Sequence, residues 1–240
     1  MQNVAARKSE HIQDRRLLGD NGRPRQPLRD VSFTERVGFS KLYRRNAVLF
    51  FEGEKARGAY LLRSGFAKIS ISSADGKKLI MRIARPGDLL GLYAGLTGRS
   101  YEATAEMIEA GRVEFISQAG LQDLMRNRGP FGLDLVEVVS DQFSEFVDHA
   151  RLVMLSDSAI EKLARLISAW ARDFGERTAG GIFVRILLTQ EEIAQIIGAS
   201  RETVTRLFSA LKRKRIIRFK GDGMLIRNSA ALASLAQLST

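Results

Sequence analysis

Arg201, Glu202 and Arg206 stand close together in the stretch Ser200-Arg201-Glu202-Thr203-Val204-Thr205-Arg206. On a helix they share, with Thr205, the face opposite Val204, Leu207, Phe208 and Leu211, an apolar stripe spaced 3, 1 and 3 apart. Two guanidiniums and a carboxylate on one exposed face match the edges of base pairs. Arg bonds twice to guanine O6 and N7, and Glu accepts from cytosine N4. Ser200 and Thr203 have the size and position for phosphate contacts at a helix N-terminus, and Thr189 is placed likewise at the preceding helix. Lys212 and Lys214, in the run Lys212-Arg213-Lys214-Arg215, fall at or beyond the far end of the helix. There they can meet phosphates or complement the helix dipole.

The elements that must carry these side chains are legible nearby. Thr189 precedes Glu192 by three, a capping-box spacing that starts a helix whose apolar face is Ile193, Ile196 and Ile197. Gly198 can take the positive φ of a sharp turn, and Ser200 is a good N-cap for the second helix. Ile216, Ile217 and Phe219, then Gly221-Asp222-Gly223, then Met224, Leu225 and Ile226 read as a two-stranded hairpin. Helix, turn, helix and wing predict a winged helix-turn-helix, a shape whose second helix fits the major groove of double-stranded DNA. The competing reading is a small helical domain with a solvated charged face.

Charge favours the first reading. The 240-residue chain carries a formal charge of +11. Residues 180–240 hold ten Lys or Arg against four Asp or Glu, whereas residues 31–179 hold 21 against 19. The excess is concentrated where the helix-turn-helix lies. A run of about 18 apolar residues and a signal-peptide pattern are both lacking, so the expectation is a cytoplasmic protein with no membrane partner. The chain has no Cys, which excludes disulfides, cysteine catalysis and cysteine-ligated iron–sulfur clusters. With His11 and His149 as the two histidines, a metal site built from His and Cys is not expected.

The length allows one or two domains, and the pattern divides the chain further. Residues 1–30 are polar, Arg-rich and interrupted by Gly and Pro, which reads as a poorly ordered basic segment or as an arm that touches DNA. In residues 31–128, short apolar runs alternate with turn signals such as Glu52-Gly53, Ser64-Gly65, Asp75-Gly76 and Pro86-Gly87-Asp88. Such spacing predicts a small β-barrel or roll. In residues 129–155, Val136, Val139, Phe143, Phe146, Ala150 and Val153 recur at spacings of 3, 4, 3, 4 and 3. That heptad seam predicts a long helix that dimerises, or else one that packs on its own domain. Leu155-Ser156-Asp157-Ser158 reads as a hinge, and residues 156–240 as the DNA-binding domain. Within it a helix runs from about Ser158 to Phe174 and a strand from Phe183 to Leu187. The fold class is therefore α+β: an N-terminal β-roll, a long dimerisation helix and a C-terminal winged helix-turn-helix.

This order of parts resembles the CRP/FNR family of bacterial transcription regulators over about residues 35–230. The stretch Gly198-Ala199-Ser200-Arg201-Glu202-Thr203-Val204-Thr205-Arg206 is similar to the CRP recognition helix almost residue for residue. The Gly turns of residues 52–91 also fall where the family has them. The resemblance implies a homodimer that binds a pseudo-palindromic site, bends DNA and contacts RNA polymerase. It implies that Arg201, Glu202 and Arg206 read a TGTGA-like half-site. FNR-like members carry Glu and Ser ahead of the Arg, and Thr205 is not that Ser.

The effector region departs from the family pattern. A cyclic-nucleotide pocket carries Gly-Glu-Leu and then Arg-Ser-Ala, with the Glu on the ribose and the Arg and Ser on the phosphate. Here Gly91 is followed by Leu92 and Tyr93, and Tyr101 and Glu102 stand at the Arg and Ser positions. An acid there repels a phosphate. Cyclic AMP is therefore not the expected effector. Leu92, Tyr93, Leu96, Tyr101 and Phe146, with Gly91 and Glu102, either line a pocket for an apolar ligand or fill it, leaving a dimer active without ligand. No cofactor is predicted. Haem bound through His149 is a remaining option, against a solvated or packed histidine. The sequence shows no catalytic constellation, neither a phosphate-binding glycine loop nor a Ser-His-Asp order. Besides the regulator, a sensor or protein-contact module without specific DNA readout stays open.

Overall fold

The computed structural model describes residues 38–127, 129–156 and 158–237. The basic segment 1–30 lies outside the described residues, as does Asp157 of the expected hinge. Two four-stranded antiparallel sheets build the N-terminal roll. One has the order β1 (Gly38–Tyr43), β8 (Gly111–Ser117), β3 (Gly58–Leu62), β6 (Leu89–Leu90). The other has the order β2 (Val48–Phe50), β7 (Thr104–Glu109), β4 (Phe66–Ser72), β5 (Lys78–Ala84).

Strand alternation explains why the sequence shows unbroken apolar runs here. Side chains of β3 point to opposite faces in turn, and both faces are covered. Leu62 joins Phe50, Ala67, Leu90, Met107 and Val113 in the roll interior. Ala59 and Leu61 face the other way, into a cluster with Leu89, Ile116, Leu121, Leu124, Leu135 and Val138. That second cluster is closed by three helices: α1 (Leu92–Thr97), α2 (Gln118–Asn127) and the long α3 (Gly129–Leu155).

The C-terminal unit starts at α4 (Ala159–Phe174), capped by Ser158, whose side chain accepts from the Glu161 amide. A third sheet follows, in the order β11 (Ile217–Lys220), β12 (Gly223–Ile226), β10 (Gly181–Arg185), β9 (Glu176–Thr178). The wing predicted from sequence is β11–β12, and it is half of a larger sheet. The strand expected at Phe183–Leu187 is β10, which begins and ends two residues earlier. It begins early because Gly181 closes a hairpin onto β9, where Gly181 pairs with Thr178. It ends early because the Ile186 amide turns to the Asp222 carbonyl, 3.0 Å away. Helices α5 (Gln190–Ile197), α6 (Arg201–Arg213) and α7 (Ser229–Gln237) complete the unit.

The roll and the C-terminal unit are joined by one hydrophobic cluster. Ile80, on β5 of the roll, is fully buried among Leu163, Ile167, Ile193 and Ile197, with Ile83 packed alongside. Around this contact sits a polar clamp. Lys68 Nζ on β4 lies 2.8 Å from Glu192 Oε1 on α5 and 3.1 Å from Glu106 Oε1 on β7. Arg185 on β10 reaches Glu109 on β7 at 3.1 Å. The ring of Phe66 meets Phe174 edge-on at 6.3 Å.

Burial opposes the charge on Glu192, but hydrogen bonds from Lys68 and Thr189 outweigh it and hold the carboxyl below its ordinary range. Burial likewise opposes the Lys68 ammonium, and its bonds to Glu192 and Glu106 outweigh that and push it up. The signs fix a window. A depressed carboxyl stabilises the fold above its unfolded pKa of 4.5 and loses this as pH falls through the folded value. A raised ammonium stabilises below 10.5 and loses this as pH rises past the folded value. Lys68→Met should therefore lower stability at pH 7 by about 1–3 kcal/mol, since it strands two carboxylates. The deficit should shrink as the pH falls below 4.5. Urea denaturation of both proteins across that range checks this. A constant deficit would show that the clamp is not the source.

Candidate DNA-reading face

Local chemistry fixes the helix-turn-helix. Thr189 and Glu192 form a reciprocal capping box at the start of α5: the Glu192 amide donates to Thr189 Oγ1 at 3.2 Å, and the Thr189 amide donates to Glu192 Oε2 at 2.8 Å. Gly198 ends α5 in the left-handed region at φ 64, which lets the chain reverse within two residues. Ser200 caps α6 by accepting from the Thr203 amide at 3.2 Å. Beneath α6, Val204, Phe208 and Leu211 are buried in the shared cluster. They anchor the helix along one stripe and turn the opposite face outward.

Arg201, Glu202, Thr205 and Arg206 are exposed on that outward face. Glu202 is held below the ordinary carboxylate range, first by its own backbone amide, then by the Ser200 hydroxyl and the charge of Arg201. It is thus an ionised acceptor at neutral pH, as cytosine N4 requires. Thr205 Oγ1 bonds Gln190 Oε1 of α5 and the Arg201 carbonyl, so its hydroxyl is engaged within the protein. The structure sets Ser200 and Thr203 side by side, Oγ to Oγ1 at 3.1 Å, at the start of α6.

At the other end, α6 closes at Arg213 and Lys214 is its C-cap. Lys212 Nζ sits 5.9 Å over the ring of Phe219 on the wing, and that ring meets Phe208 edge-on at 5.3 Å. Lys212 therefore ties helix to wing. Arg218 and Lys220 on β11 are also exposed, and the sequence reading did not single them out. Their alternation with Ile217 and Phe219 was the available signal.

The seven residues expected around an effector pocket do not gather on one wall. Tyr101 is 3% exposed. Its ring stacks on Phe50 at 4.0 Å and its hydroxyl donates to the Gly58 carbonyl at 2.8 Å, inside the roll. Gly91 sits at φ 65 against it, and a Cβ there would fall 2.6 Å from the Tyr101 ring. Leu92 and Leu96 pack in the cluster between sheet and helices, not in the roll interior. Tyr93 is half exposed under Arg99, which donates to its hydroxyl at 2.8 Å. Glu102 is exposed, and Phe146 points outward from α3. Of the two expectations, a lined pocket or a filled one, the packing of Tyr101 inside the roll favours the filled one, while Leu92, Tyr93, Leu96, Glu102 and Phe146 lie in other surroundings. His149 is buried on α3, and burial pushes its pKa down to about 4. It is a packed neutral imidazole, not a solvated one.

On α3, Val136, Val139, Phe143 and Phe146 of the heptad seam are 49–66% exposed, and Ala150 and Val153 are half-buried. Leu135 and Val138, one step off the seam, carry the contact with the roll. The helix thus has two apolar faces, and this chain covers one of them.

A roll, a long helix and a capped helix-turn-helix with basic wing define a DNA-binding transcription regulator, and the comparisons with known proteins agree. Residues 40–128 match the cyclic nucleotide-binding domain model, and residues 161–235 match the Crp-like helix-turn-helix domain model. The chain is 28% identical over 193 residues to the CRP-like cAMP-activated global transcriptional regulator of Mycobacterium tuberculosis, covering 80% of this chain and 86% of that one. It is 26% identical over 193 residues to the anaerobic regulatory protein of Bacillus subtilis, covering 80% and 81%. Its fold is similar to that of FixK2 from Bradyrhizobium japonicum, with TM-score 0.72, 24% identity and coverage of 83% and 97%. It is also similar to a CRP/FNR-family regulator from Thermus thermophilus, with TM-score 0.67, 21% identity and coverage of 83% and 98%. The chain belongs to the CRP/FNR family of transcription regulators. Among the described residues, no helix is long and apolar enough to cross a membrane.

Proposed function

We propose that this regulator works as a homodimer that reads a pseudo-palindromic, TGTGA-like site, and that cyclic AMP does not control it. The observation that carries the reading is the outward face of α6, where Arg201, Glu202 and Arg206 stand exposed on a helix anchored by Val204, Phe208 and Leu211. The guanidiniums are assigned to guanine edges and Glu202 to cytosine. Thr189, Ser200, Thr203, Lys212 and Lys214 are assigned to phosphates, where they set register and orientation. RNA polymerase is the further partner this reading carries. The uncovered seam of α3 supports the dimer, since large apolar side chains at heptad spacing want a matching helix. Tyr101 in the roll interior supports the absence of a cyclic nucleotide. The reading includes no iron–sulfur cluster, since the chain has no Cys, and no haem on the buried His149.

Arg206→Ala should cost about 1–3 kcal/mol on the cognate site and relax discrimination at one base pair. Fluorescence anisotropy on selected sites measures it, and unchanged specific affinity overturns the assignment. Phe143→Glu should convert a dimer to a monomer in sedimentation, because the charge would face its own copy. A variant that stays dimeric removes α3 from the interface. Titration calorimetry with cyclic AMP should give no stoichiometric heat. Micromolar, stoichiometric binding that tightens DNA affinity would refute that part of the proposal.

A further inference from the structure

A crevice of about 530 Å³ opens between β5, the C-terminal half of α3 and α4. It shares none of its walls with Gly91, Leu92, Tyr93, Leu96 or Tyr101. Its apolar lining includes Leu152, Leu166, Trp170 and Phe174, and two buried polar side chains, Arg85 and His149, also face it.

Arg85 is 7% exposed. Its Nη2 lies 3.7 Å from Glu145 Oε1, and its guanidinium carbon lies 5.1 Å over the Phe174 ring. Glu145 is shared, since Arg82 also approaches it at 3.6 Å. Arg85 Nε and Nη1 have no hydrogen-bond partner among the described residues, and neither has His149 Nε2. Burying donors of a cation without acceptors is costly, and a guanidinium can only donate. Whatever satisfies these atoms must therefore bring acceptors, and an anionic acceptor makes the strongest bonds. Burial keeps His149 neutral at neutral pH, so its Nε2 can donate in the tautomer protonated there. Beside these polar atoms, Trp170 and Leu152 offer an indole and an aliphatic surface. The volume falls within the range of small-molecule sites.

We propose that this crevice binds a small organic acid, with its carboxylate on Arg85 and His149 and its apolar or aromatic body against Trp170 and Leu152. Such a ligand would touch the roll through β5, the dimer helix through α3 and the DNA-binding unit through α4. Its affinity then differs between arrangements of the three, which is the condition for shifting them. The site goes beyond the DNA reading and is independent of it, because binding can be measured without DNA.

Trp170 is the single tryptophan of the chain, so its emission reports the site directly. The full-length protein is titrated at pH 7.5 with benzoate and 3-phenylpropionate, and with benzamide as the neutral counterpart. The proposal expects a saturable change in Trp170 emission with at least one acid, matched by calorimetric heat, and weaker binding of the amide. Arg85→Gln should weaken the acid by about tenfold or more, the loss of one charge-assisted hydrogen bond. Leu152→Phe, which fills the crevice and leaves the polar groups in place, should abolish binding while circular dichroism stays native. This second variant decides the matter if Arg85→Gln does not fold. No saturable response to either acid up to about 10 mM overturns the site. So does equal affinity for acid and amide, or undiminished binding by Leu152→Phe.

Discussion

The burial of Ile80 is the contact on which the rest of this molecule depends. A residue of the roll completes the core of the DNA-binding unit, so the two share one hydrophobic cluster across the chain's midpoint. Area burial is non-directional and does not fix an angle. The angle is set by the polar ring around it, above all by Lys68 with Glu106 and Glu192. Apolar contact supplies the attraction, and charged hydrogen bonds supply the register.

Glu192 joins two roles that are usually separate. It closes the capping box of α5, and it receives Lys68 from the roll. The first turn of the helix-turn-helix is thus held partly by a side chain from another sheet. Any shift of β4 relative to α5 acts on the start of the helix that positions α6. The reading face itself rests on Val204, Phe208 and Leu211, and Phe219 with Lys212 extends that support to the wing.

The helix-turn-helix was legible because its signals are local. Capping spacing, a turn glycine and a 3.6-period stripe are all set within a few residues. The heptad seam was legible as a pattern, and its exposure shows that this pattern is not used up in the chain's own core. What escaped were elements whose reason lies far away in sequence. β9 has the residues Glu-Arg-Thr and no apolar period, and exists because β10 pairs with it. α7 is weakly patterned and is held by an Asn228 side chain that accepts from the Ala231 amide and by Arg165 bonding the Ala236 carbonyl. The expected effector residues were grouped by the positions of the cyclic-nucleotide pocket in the family that the sequence resembles. Helix α1 turns Leu92 inward and Tyr93 outward, and Tyr101 follows it in the segment before β7 and packs into the roll, so the three end in different surroundings.

Tyr101 stacked on Phe50 amounts to a ligand that the chain carries within itself. A tethered ring has a fixed effective concentration and never dissociates into solution. Its occupancy follows the folding equilibrium and not the level of any metabolite. On the proposed reading the roll interior is then silent as a dose-dependent sensor. It would act as a permanently loaded strut, and graded control would enter through surfaces that the ring does not reach.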